Sequence, residues 1–177
     1  WAGSNVQALF AQGLASADYL SGLDEAADGD VLRFVSRPAA QAFCAWLSAE
    51  APRGFRFSLP SEAQWSLAAQ AAGASAKAGA VLAGVPGPRA PGSLALDAAG
   101  LAGLLGNVWE WCSDSYAVTP AAGPAGRERF PSTEALVRGG SWANRAELVS
   151  LASRGPMRQS ECSAFVGFRV ALVPVED

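Results

Sequence analysis

The chain has 177 residues, half of them apolar and only 16% charged, which suits one compact domain that buries about 70% of its unfolded surface. Thirteen basic against sixteen acidic residues leave a formal charge of −3, with no basic run to suit nucleic acid or anionic lipid, and no apolar segment approaches the ~20 residues of a membrane span. Histidine is absent, which removes the commonest general base and metal ligand, and Cys44, Cys112 and Cys162 form no CxxC pair, which argues against structural zinc.

The chain opens at Trp1 with neither an initiator Met nor a signal peptide, so it is expected to be a processed or trimmed piece. Its compartment is unassigned, an extracytoplasmic setting being favoured. Asn5 is placed to cap a short helix carrying Val6, Leu9 and Phe10, which Gly13 ends, and Gly22 to Asp30 reads as a polar, turn-rich connector. Ser36 predicts the N-cap of the next helix, with Pro38 tolerated in its first turn. Ala39, Ala42, Phe43, Trp46 and Leu47 recur at helical spacing and predict its apolar face, with Cys44 beside it.

Phe55 to Leu59 is a short apolar run that Pro60 stops. Ser61-Glu62-Ala63-Gln64 matches a capping box, in which the Ser hydroxyl and the Gln side chain satisfy free N–H groups reciprocally. The helix it starts carries Trp65 and Leu67-Ala68-Ala69, and Gly73 is placed to end it. Trp1, Trp46 and Trp65 read as packing residues. From Gly73 to Gly100 the chain is Ala, Gly and Pro with almost no periodicity, and reads as a long surface loop. Thr119 to Ser132 predicts a second loop, and strand-like pieces follow at Ala135–Arg138 and Phe165–Val173. No internal repeat is present, so the class is α+β with much irregular backbone.

The densest signal is Gly106-Asn107-Val108-Trp109-Glu110-Trp111. A Trp ring of ~200 Å² needs a shaped cavity and an acceptor for its N–H. In a strand Glu110 shares a face with Val108 and Cys112, while Trp109 and Trp111 point the other way. A carboxylate buried there needs a partner, and Arg138, Arg154 and Arg169 are the candidates. Gly139 and Gly140 fit a tight turn or a close backbone approach. They do not form a phosphate loop, because no Lys-Ser/Thr follows.

Four blocks in order, Leu59–Trp65, Gly106–Trp111, Arg138–Trp142 and Gly167–Arg169, resemble the signatures of the formylglycine-generating enzyme (sulfatase-modifying factor) family. Val35-Ser36 with Ala42–Leu47 fits that family's upstream helix, so the resemblance runs from roughly residue 30 to the C-terminus. It implies a variant of the C-type-lectin-like fold with a core built around the tryptophans. The whole chain, 1–177, is expected to be one such domain, with 73–100 its long loop. The family's N-terminal strands have no counterpart after Trp1, so the chain is expected to be part of a longer protein.

In the family's enzymes two cysteines shortly after the Gly-Gly-Ser block hold copper and activate oxygen, which suits soft thiolate ligands. Here Asn144 and Val149 hold those places, and no Cys occurs between Ser141 and Cys162. The resemblance therefore implies that the usual oxidase activity is absent, and Cys162 reads as an incidental thiol. Cys44 resembles a position that secreted relatives pair with a Cys after Gly-Phe-Arg; Val170 stands there, so Cys44 reads as a free buried thiol. The family's calcium ligands would map to Gly103, Gly106, Val108 and Glu110. Gly103 offers no side chain, so Glu110 is a weak calcium candidate and no cofactor is expected.

The resemblance with its missing thiols points to a non-catalytic binding or scaffold domain, a pseudoenzyme that recognises a peptide or protein. The candidate face is Trp142, Asn144, Arg145, Arg154, Arg158 and Glu161, a mix of aromatic, amide and charge suited to such contact. Two alternatives are an oxidoreductase of the family with altered chemistry, and a ligand-binding protein diversified by retroelements. Iron chemistry would need His from another domain. Diversified relatives concentrate Asn, Tyr, Asp and Ser where this chain has Ala, Leu and Val.

Overall fold

The computed structural model describes residues 29–117 and 134–175. The predicted helix after Asn5, most of the Gly22–Asp30 connector, Trp1 and the Thr119–Ser132 loop lie outside the described residues.

Helix α1 spans Arg37–Leu47, and Ser36 caps it as expected, its hydroxyl accepting from the Ala39 N–H. Such a cap contributes about 1 kcal/mol. Strand β1 is Phe55–Ser58. Helix α2 spans Glu62–Ala72 and starts in the predicted capping box: Gln64 N–H donates to Ser61 Oγ, and Ser61 N–H donates to Gln64 Oε1. Gly73 closes it at φ 54°, a conformation that favours glycine. The remaining strands are β2 (Trp109–Ser115), β3 (Glu134–Arg138), β4 (Arg154–Arg158), β5 (Val166–Gly167) and β6 (Ala171–Pro174).

Strands β2 to β5 form one sheet in the order β4-β3-β2-β5, antiparallel except where β5 runs parallel to β2. Strands β1 and β6 make a separate antiparallel ribbon, with Phe57 opposite Leu172. The alternation of a strand explains how the larger sheet divides the core. Trp111, Ala135, Val137 and Val166 face Ala39, Ala40 and Cys44 of α1. Cys112 and Leu136 face Trp65, Ala69 and Ala72 of α2, together with Leu104 and Leu105. The sheet is thus a middle layer with a helix on each face.

Two expectations need adjustment. The buried face of α1 is Arg37, Ala39, Ala40 and Cys44, rotated from the predicted stripe; Phe43 and Leu47 are half-buried, and Trp46 is 49% exposed with its ring against Phe43. The residues facing the sheet must be small enough for close approach, which favours the Ala-Cys side of the helix over the aromatic one. Residues 73–100 lie mostly at the surface yet also reach inward: Val81 is buried and bridges in parallel to Gly106. Among the described residues no helix is long and apolar enough to cross a membrane.

Candidate functional site

The site is assembled on irregular backbone, so its anchor points are hydrogen bonds between loops. Gly106 and Asn107 form the central strap. Gly106 N–H donates to Gly139 O at 2.9 Å, and Asn107 N–H donates to Val81 O at 2.8 Å. The Asn107 carbonyl accepts from Trp142 N–H at 2.8 Å. The Asn107 side chain also clamps the backbone of Arg89, accepting from its N–H at 2.8 Å and donating to its carbonyl at 3.1 Å. Asn107 sits at φ 59°, a left-handed conformation that Asn tolerates better than most residues. At Gly106 a Cβ would lie 2.1 Å from Val81 O, so the close approach requires glycine.

The strap positions the turn Gly139-Gly140-Ser141. Both glycines have positive φ, 92° and 83°. A Cβ on Gly139 would come within 2.8 Å of Leu104 O. The two positions that the sequence aligns with the family's thiols both face this turn. Asn144 Oδ1 accepts from Ser141 N–H at 2.8 Å and from Ser141 Oγ–H at 2.9 Å. Val149 lies with both methyls 3.0 Å from where a Gly140 Cβ would be. An amide and an isopropyl group therefore brace the turn, and neither supplies a soft ligand, so these residues do not fit a copper ion.

None of the three cysteines forms a disulfide. Cys44 and Cys112 lie in the two core layers on opposite faces of the sheet. Burial pushes the Cys44 thiol up to about 11. Burial, reinforced by the Glu110 charge, pushes Cys112 higher still. Cys162 is partly exposed and its thiol donates to Ser160 O. Two inert thiols and one surface thiol are no redox pair.

Glu110 is buried on the α2 side of the sheet, with Cys112, as its strand position predicts. Arg169 grips it with two prongs, Nη2 to Oε1 at 2.6 Å and Nε to Oε2 at 2.7 Å, and Trp65 Nε1–H donates to Oε2 at 2.7 Å. Burial pulls the Arg169 pKa down, yet the charge of Glu110 and the hydrogen bonds to it leave it above the ordinary arginine value. With both oxygens engaged and no side chain on Gly103, the mapped calcium ligands do not fit the ion. Among the described residues no three His, Cys, Asp or Glu side chains gather to hold a metal.

Arg154 is drawn into a second internal network. Its Nε and Nη2 donate to Glu62 Oε1 and Oε2 at 2.7 and 2.9 Å, and its guanidinium lies 4.8 Å from the Tyr116 ring centroid. Arg138 donates to Glu62 Oε1 at 2.9 Å and stacks 4.4 Å over Trp65. Of the six candidate binding residues, Arg154 and Asn144 thus have internal partners. Arg145, Arg158 and Glu161 are exposed. Trp142 is partly exposed and packs on Phe165, ring centroids 5.4 Å apart, while its Nε1–H donates to Ala164 O at 3.4 Å. Phe165, 41% exposed, falls in sequence at the start of an expected strand, and no local signal there pairs its ring with Trp142.

The strap, the double-glycine turn and the Glu110–Arg169 pair join all four sequence blocks into one unit. Residues 87–173 match the family model of the sulfatase-modifying factor enzyme 1-like domain. The C-terminal part of the chain is thus similar to that family's domain. Solved structures agree on the fold, the formylglycine-generating variant of the C-type-lectin-like fold. Treponema denticola variable protein 1 aligns with TM-score 0.68 at 20% identity, over 84% of this chain and 74% of its own. PvdO from Pseudomonas aeruginosa aligns with TM-score 0.68 at 23% identity, over 83% of this chain and 63% of its own. CarF aligns with TM-score 0.63 at 21% identity, over 84% of this chain and 69% of its own. This chain therefore spans less than two thirds of PvdO. At these identities the likeness concerns fold alone. A comparison with curated proteins found no match.

Proposed function

We propose that this sulfatase-modifying-factor-like domain is a non-catalytic binding module for a peptide or protein ligand. The observation that carries the reading is the fate of the two thiol positions: Asn144 ties down Ser141, and Val149 packs against Gly140. A turn braced in this way is a rigid support rather than a reaction centre. The face it supports centres on the Trp142–Phe165 pair, with the exposed Arg145, Arg158 and Glu161 in the segment that joins the two rings. An aromatic anchor with adaptable charges around it is the composition of a binding hot spot.

The test has two arms. Purified domain is loaded with copper, desalted, and assayed for metal content and for oxygen consumption on a cysteine-containing peptide. The expected result is neither stoichiometric copper nor turnover; copper with turnover overturns the reading. In the second arm a displayed peptide library is selected on the domain. Enriched peptides should bind Trp142→Ala about tenfold more weakly or worse. The exposed pair Arg145→Glu/Arg158→Glu serves as a variant that keeps the aromatic packing. Failure to enrich any peptide, or equal affinity for the wild type and both variants, removes the proposed face.

A further inference from the structure

A cleft of about 750 Å³ lies between α1, the β1–β6 ribbon and the start of α2. None of the candidate residues of the Trp142 face lines it. Its volume falls within the range of small-ligand sites. The helix–ribbon geometry makes its two characters. Cys44 and Ala45 of α1, with Leu59 and Pro174, give an apolar wall. Alternation along β1 brings Arg56 and Ser58 onto one face of that strand, and both line the cleft.

The polar lining divides into groups already engaged and groups available to a ligand. Ser48 Oγ serves Cys44 O and the Phe57 backbone, and Ser61 Oγ caps α2. The hydroxyls of Ser58 and Ser113 and the amide nitrogens of Gln41 and Gln64 have no such assignment among the described residues. Arg56 is exposed and makes no salt bridge among the described residues. Among the described residues no Asp or Glu lines the cleft, and Arg56 is the one charged side chain in its lining.

We propose that this cleft binds a small monocarboxylate bearing an amide and an apolar side chain, the chemistry of an N-acyl amino acid. Arg56 takes the carboxylate in a charge-assisted, fork-shaped contact. The Gln41 and Gln64 amides and the Ser58 and Ser113 hydroxyls take the ligand amide, and the Cys44–Ala45–Leu59 wall takes the side chain. The C-terminal residue of a peptide presents the same groups, so the source of the carboxylate is left to the experiment.

N-acetyl-L-leucine is titrated into ¹⁵N-labelled protein, with N-acetyl-L-leucinamide as the uncharged match and a pentapeptide ending in leucine as the chain-terminus probe. Saturable shifts are expected at the backbone amides of Gln41, Ser58 and Ser113. The uncharged match should bind about tenfold more weakly, as should the carboxylate to Arg56→Gln. Ala45→Trp, an exposed position on α1, should block all three probes while leaving the thermal midpoint of unfolding near that of the wild type. Tighter binding of either carboxylate supports the site and names its source. Absent shifts with both carboxylates, equal affinity for the carboxylate and its amide, or an unchanged Arg56→Gln overturns it. Arg145→Glu/Arg158→Glu should leave this binding intact, so failure here is separable from failure of the Trp142 face.

Discussion

Arg169 and Glu110 form a two-pronged ion pair at 2.6 and 2.7 Å, although Arg138 is the residue directly across the strand from Glu110. Arg138 instead reaches Glu62, Ser66 and the carbonyls of Leu151 and Ser153, leaving Glu110 to a residue 59 positions away. The pair therefore staples the segment after β5 to the centre of the sheet. Removing one member strands a buried charge, so Arg169→Ala should lower unfolding stability by about 3–5 kcal/mol. Arg169→Lys keeps the charge but loses the fork and should cost less. Urea unfolding of the two variants checks the order; a neutral Arg169→Ala would refute it.

Stability should also fall in acid through Glu62. Burial raises its pKa, but the hydrogen bonds and charges of Arg154 and Arg138 outweigh burial and hold it below the usual value. A carboxylate with a lowered folded pKa stabilises fully above its unfolded value of about 4.3, and that contribution is lost as pH falls through the folded value. Glu62→Gln should be less stable than the wild type at neutral pH and should lose less on acidification. Thermal midpoints measured from pH 7 down to pH 3 check this. Parallel curves for the two proteins would show that Glu62 carries no such linkage.

Thiol reactivity should follow burial. At pH 8 an alkylating reagent should modify Cys162 first, because Cys44 titrates at about 11 and Cys112 is fully buried with a pKa pushed higher still. Complete modification should require denaturant. Mass spectrometry of the native and unfolded protein reads the stoichiometry. Rapid native labelling of Cys44 would contradict its place in the core.

Asn107 combines a left-handed backbone with two hydrogen bonds to Arg89. Asn107→Ala should destabilise by about 2–3 kcal/mol, adding backbone strain to two orphaned peptide groups. Asn107→Gly relieves the strain alone and should fall between Ala and the wild type. Denaturant midpoints of the three proteins test the ranking, and an Ala variant as stable as Gly would remove the strain contribution.

What could be read from the sequence was local. Ser36 and the Ser61–Gln64 box set helix starts within a few residues, where capping rules act without tertiary help. Strand alternation around Trp111 placed Glu110 and Cys112 on one side. The partner of Glu110 could not be read, because three arginines were chemically equivalent and only the chain path chooses among them. Trp46 shows the same limit: spacing finds an apolar stripe, but the partner surface decides how far the helix is rotated toward it. The internal anchoring of Arg154 and Asn144, and the pairing of Phe165 with Trp142, depend likewise on loops whose course has no periodicity to betray it.

The Asn144 clasp on Ser141 bears on any effort to engineer a thiol-based oxidase onto this scaffold. Introducing cysteine at 144 would delete the acceptor for two donors and loosen the very loop the new sulfur would need held still. A second replacement at 149 would open a gap beside Gly140. Placing a thiol pair here would thus require redesigning the loop as a whole, since the side chains to be replaced are the ones that hold the turn together.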